Sequence, residues 1–137
     1  MRIFLLILGM LSAPLCQAGG LLVIASPQVQ DDTISIKQLA DIYTLKKVFW
    51  ANETPVVPVN REASSAVREK FSEAVFNLSP QELAEYLNRL RFQGKPPPLI
   101  QTSDQAVLGF VRNVPGAVGY IDASQAATGV KILLRIP

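Results

Sequence analysis

Histidine is absent from this chain, and cysteine occurs once, at Cys16. The common zinc and copper ligand sets therefore cannot be assembled, and no cofactor is expected. A lone cysteine closes no disulfide within the chain, so the fold must rest on its hydrophobic core. Charge of one sign is also lacking: 13 Lys and Arg stand against 11 Asp and Glu, and the basic residues are scattered. That pattern gives no polyanion-binding face, and no nucleic-acid partner is expected. Without His and Cys, nucleophilic chemistry would need a serine activated by lysine or a carboxylate pair. Asp31 and Asp32 are the nearest approach to such a pair, but as sequence neighbours they read as a solvated loop. An enzyme is not expected.

What is present begins with an export signal. Arg2 supplies a positive start, Ile3 to Leu11 an apolar stretch, and Cys16-Gln17-Ala18 a small-residue end that a signal peptidase can cut. The stretch falls short of the roughly 20 apolar residues a spanning helix needs, and Pro14 interrupts it. Residues 1–18 are therefore expected to be a cleaved signal peptide and 19–137 one domain, with no stable membrane insertion afterwards. Acylation at Cys16 is disfavoured because Leu15 stands where a lipobox needs a small residue.

The remaining residues alternate between strand and helix signals. Leu21–Ala25 reads as a buried strand, and Ser35 as the cap of a helix with Ile36, Leu39, Ala40 and Tyr43 on its apolar face. A second strand follows at Val56–Val59, where the proline suggests an edge or a strand end. Ser64 or Ser65 caps a helix carrying Val67, Phe71, Ala74 and Val75. Ser79-Pro80-Gln81-Glu82 is a third start signal, and Gly94 with Pro96 to Pro98 its stop. Leu99–Gln101 predicts a short strand, Ser103-Asp104 a cap before Val107, Val111 and Val114, and Ala117–Ile121 and Val130–Ile136 two further strands. The order predicts an α/β domain with helices packed on a mixed sheet.

The constellation with chemical content is Arg61-Glu62-Ala63-Ser64-Ser65-Ala66-Val67, where a strand hands over to a helix N-terminus. First-turn N–H groups, the positive end of the helix dipole, serine hydroxyls and a bidentate arginine suit an anion. The plainer reading makes Ser64 or Ser65 a helix cap and Arg61 a surface residue. Trp50 reads as core packing before ligand stacking. Gly116 and Gly119 read as allowing a tight turn and a close backbone approach before cradling a phosphate.

Several segments, in order, resemble the substrate-binding proteins of phosphate ABC transporters, which have the type 2 periplasmic binding-protein fold. Leu39 to Lys46 followed by Trp50 looks like the family's helix ending in Ile-Phe-x-Gly-Lys with a tryptophan beyond it. Val57-Pro58-Val59-Asn60-Arg61, Ser64-Ser65 and Phe71 are similar to its strand, ligand-binding turn and next helix. Phe92-Gln93-Gly94, Val107 to Val111 and Pro115 to Tyr120 complete the series. The resemblance implies a single-lobe domain of that fold and a periplasmic location.

The family's turn reads approximately Arg-x-Asp-x-Ser-Gly-Thr, and Arg61 and Ser65 fall on its arginine and serine. Ala63, Ala66 and Val67 replace the aspartate, glycine and threonine. A carboxylate that accepts a hydrogen bond from protonated phosphate rejects sulfate, which has no proton to offer, and Ala63 cannot make that distinction. The resemblance thus implies inorganic phosphate or a similar oxyanion at Arg61, Ser64 and Ser65, held with low selectivity. The chain also has the length of one lobe, so a dimer mate is expected to supply the second wall; the partners expected are such a homodimer mate or an envelope protein. The alternative is a ligand-free envelope interaction or sensor module derived from the same fold.

Overall fold

In a computed structural model that describes residues 19–137, the apolar run Leu21–Ala25 is strand β1, buried at all five positions. The signal peptide expected over residues 1–18, Cys16 included, lies outside the described residues. Only a strand covered on both faces buries consecutive side chains. Leu21, Val23 and Ala25 enter one core cluster, and Leu22 and Ile24 the other. Along the chain follow α1 (Ile36–Tyr43), β2 (Val57–Arg61), α2 (Ala66–Val75), α3 (Pro80–Phe92), β3 (Leu99–Gln101), α4 (Asp104–Asn113), β4 (Ala117–Asp122) and β5 (Lys131–Ile136).

The strands form one sheet in the order β3-β2-β4-β1-β5. β2 runs parallel to β3 and β4, whereas β1 is antiparallel to both β4 and β5. The expected mixed sheet is therefore present, flanked on one face by α1 and α2 and on the other by α4. Leu39, Ile42, Tyr43, Phe71 and Val75 fill the first layer. There the Phe71 and Tyr120 rings stack at 3.8 Å, and the Tyr43 hydroxyl donates to the Val59 carbonyl at 2.6 Å. Val107 and Val111 fill the second layer, close against Gly119, where an added Cβ would lie 2.8 Å from Val107 Cγ1.

Two helix faces differ from expectation. In α1 the buried stripe is Leu39, Ile42 and Tyr43, which rotates Ile36 to the boundary at 39% exposure. In α2 the stripe is Phe71 and Val75, and Ala74 faces solvent. Both shifts turn the helix by less than a quarter turn, within what an i, i+3, i+4 pattern leaves open.

Pro58 is not on an edge strand, yet its position is explained by where β3 begins. The Val57 N–H donates to Gly116 O, just before β4, so the next residue's N–H points to the opposite side. Pairing with β3 starts only at Val59, and the donor that Pro58 lacks has no partner to lose. Trp50 belongs to the core, with Nε1 donating to Gly116 O at 2.9 Å. Thr44 ends α1, and Leu45 follows at φ 61, in the left-handed region, where the motif it resembles carries glycine.

Candidate functional site

The parallel strands β2, β3 and β4 end together, with Arg61 opposite Gln101 and β4 closing at Asp122. In open α/β sheets this carboxyl end is where ligands bind. Arg61 is the last residue of β2, and its backbone N–H donates to the Tyr120 hydroxyl at 3.2 Å. That hydroxyl in turn donates to Asn60 Oδ1. Burial, the largest influence, pushes the Tyr120 phenol up to about 12, so it stays a neutral donor.

The Arg61 side chain is only 11% exposed and is held by two carboxylates. Its Nε and Nη2 donate to the two oxygens of Glu62, each at 3.0 Å, and Nη1 donates to Asp104. The bidentate contact to Glu62 is the main reason that the arginine is held above its usual range and the Glu62 carboxyl below its own. Asp104 sits in the first turn of α4, where its other oxygen accepts the Asp122 N–H at 3.3 Å. Three guanidinium N–H groups are thus already taken by the chain's own acids.

Ser65 is the N-cap of α2, its Oγ accepting the Arg68 N–H at 3.3 Å, and is nearly buried. Ser64 beside it is exposed. Both border a cavity of about 320 Å³ between α2 and the start of α3, which Arg68 also lines, with Glu69 and Glu73 among its walls. Arg68 is anchored by a 2.8 Å hydrogen bond from Nη1 to Arg61 O.

The structure therefore brings Ser64 and Ser65 to one cavity and turns the Arg61 guanidinium toward Glu62 and Asp104, outside that lining. Residue-by-residue reading missed Asp104 and Arg68. Arg68 is three residues beyond the Ser65 cap, a spacing that places it in the first turn of α2. Asp104 read as part of a helix cap, which describes Ser103 correctly, since Ser103 Oγ accepts the Ala106 N–H at 3.0 Å.

A family model described as a PBP superfamily domain matches residues 17–133. Three solved structures illustrate the fold. The first is a protein of Clostridium perfringens, solved with bound phosphate and described as a phosphate ABC transporter substrate-binding protein. It is 24% identical at TM-score 0.68, over 83% of this chain and 44% of its own. An ABC-type phosphate transport receptor from Vibrio cholerae is 23% identical at TM-score 0.69, over 83% and 45%. PstS from Borrelia burgdorferi is 19% identical at TM-score 0.67, over 85% and 50%. The chain thus spans half or less of the length of each. No curated protein matches it.

Proposed function

Since the chain belongs to the PBP superfamily, we propose that it is an exported, periplasmic solute-binding-type protein taking phosphate or a similar oxyanion at Arg61, Ser64 and Ser65. It acts by binding and not by catalysis. The observation that carries this reading is the position of Arg61, which ends β2 at the carboxyl edge of three parallel strands, four residues before the Ser65 cap. Among the described residues no helix is long and apolar enough to cross a membrane. Export rests on residues 1–18 acting as a cleaved signal, and 19–137 is the one domain that remains.

Binding at this site is an exchange of anions. Glu62 is the outer partner of Arg61, its side chain 30% exposed, and its rotation frees two guanidinium N–H groups for an incoming anion. A competing carboxylate lowers affinity, so the ligand is held weakly. A dimer mate or an envelope protein closing over the anion supplies the second wall. Calorimetric titration of phosphate tests this: weak binding in the parent, tighter binding in Glu62→Gln and none in Arg61→Ala are expected. An identical response in Arg61→Ala refutes the assignment.

One observation favours a second reading, the ligand-free interaction or sensor module. The carboxylates of Glu62 and Asp104 neutralise Arg61 without help from any ligand. On that reading Glu62→Gln gains no phosphate response, and a stable envelope partner is retained by both variants.

A further inference from the structure

The opposite end of β2 has a different chemistry. Around its first residues, Val57 and Pro58, opens a groove of about 530 Å³, bordered by the loop after α1 and by the segment that leads into β3. We propose that this groove binds a free anionic amphiphile, a single carboxylate head on an unbranched apolar body, independently of the oxyanion site.

Charge selects the head group. Lys46 and Lys95 line the groove, and no carboxylate does. Lys46 Nζ stands 5.9 Å from the centre of the Tyr86 ring, whose hydroxyl donates to Thr44 O at 2.9 Å. A ligand anion meets two cations there without a competing acid, the reverse of the situation at Arg61.

Backbone chemistry selects the body. Pro96, Pro97 and Pro98 form one wall, and Pro58 lies where the β3 side of β2 is still unpaired. Prolines have no N–H, so these surfaces return no main-chain donor to an added peptide strand, which depends on them. An alkyl chain needs none. Consecutive prolines also fix their φ angles, so the wall is formed in advance and little ordering is needed on binding. The volume lies within the roughly 300–1,000 Å³ usual for small-molecule sites.

Leu45 adds an independent observation. It occupies the left-handed region at φ 61, a conformation that is unfavourable for leucine and free of that penalty for glycine, and its side chain lines the groove. Val48 and Leu99, 48% and 50% exposed, offer further apolar surface that an alkyl chain would cover.

The test is calorimetric titration of the protein with dodecanoate, kept below its micelle concentration. Saturable binding is expected, unaffected by excess inorganic phosphate and absent with dodecyltrimethylammonium, which has the same tail and the opposite charge. Lys46→Gln with Lys95→Gln should weaken dodecanoate roughly three- to tenfold, as loss of two exposed ion contacts implies. Circular dichroism checks that this variant is folded. The proposal is overturned by no binding to the folded parent, by equal binding of the cationic analogue, or by an unchanged affinity in the double variant. Displacement by phosphate, or binding only to phosphatidylglycerol vesicles, overturns it equally.

Discussion

The Arg61 guanidinium donates to the Asp104 carboxylate, joining the end of β2 to the first turn of α4 across 43 residues of sequence. Each side chain is 11% exposed, so their attraction is little screened and neither can be rehydrated cheaply. Removing Asp104 leaves Arg61 with Glu62 alone and deprives the Asp122 N–H of its acceptor, both in a site that water reaches poorly. Asp104→Ala is expected to lower unfolding free energy by about 2–4 kcal/mol, measured by urea denaturation. The Arg61→Ala, Asp104→Ala double variant should lose less than the sum of the two singles. By contrast, Lys37→Ala breaks an exposed i,i+4 pair with Asp41 and should change stability by less than about 0.5 kcal/mol.

Alkaline pH should unfold the protein through its buried phenols. Burial holds the Tyr43 phenol well above its ordinary value and that of Tyr120 at about 12. Above pH about 10 the unfolded chain releases these protons while the folded one retains them, so stability is intact below that value and falls as pH rises toward 12. Urea midpoints measured across that interval should decline, and Tyr120→Phe should flatten the decline. On the acid side the sign is opposite. Glu62 is depressed chiefly by its hydrogen bond from Arg61, so what it contributes is present near neutrality and lost as pH drops through its lowered value.

Gly119→Ala should be costly although glycine is ordinarily a weak strand former. A Cβ at this position lies 2.8 Å from Val107 Cγ1 and 3.3 Å from Val111 Cγ2, both β-branched and fully packed. Neither side chain can swing aside as a flexible one would, so α4 must lift from the sheet. A loss of about 1–3 kcal/mol is expected, read as a lower urea midpoint with an unchanged slope. Because α4 carries Asp104, the same variant should also loosen the grip on Arg61.

Local features were readable from the residues alone because their causes are local. Ser35, Ser79 and Ser103 each accept an N–H from the third residue beyond, as their spacing implied. The apolar runs at Leu21–Ala25 and Leu99–Gln101 became strands with the same bounds. Arg61 and Ser65 could be marked because a strand-to-helix passage is visible in sequence. Their partners could not. Whether Arg61 meets solvent or Asp104 depends on β2 lying beside β3 and β4, with α4 beginning just past β3, and no periodicity encodes that order. Pro58 shows the same limit: its proline suggested an edge, whereas its strand is interior and only its register against β3 leaves the nitrogen unpartnered.

Leu45→Gly separates conformational strain from packing. Glycine at φ 61 relieves a cost of about 1–2 kcal/mol borne by leucine. Against that stand the greater freedom of glycine in the unfolded chain and the loss of a half-buried side chain. The terms oppose one another, so the variant should stay within about 1 kcal/mol of the parent in urea denaturation. Leu39→Ala, on the preceding turns of α1, has no strain to relieve and empties a fully buried position, which should cost about 2–5 kcal/mol. If Leu45→Gly proved as damaging as Leu39→Ala, Leu45 would be a core residue, and its place in the apolar groove would owe nothing to ligand binding. Near-parental stability together with weakened dodecanoate binding would instead make Leu45 part of the groove's binding surface.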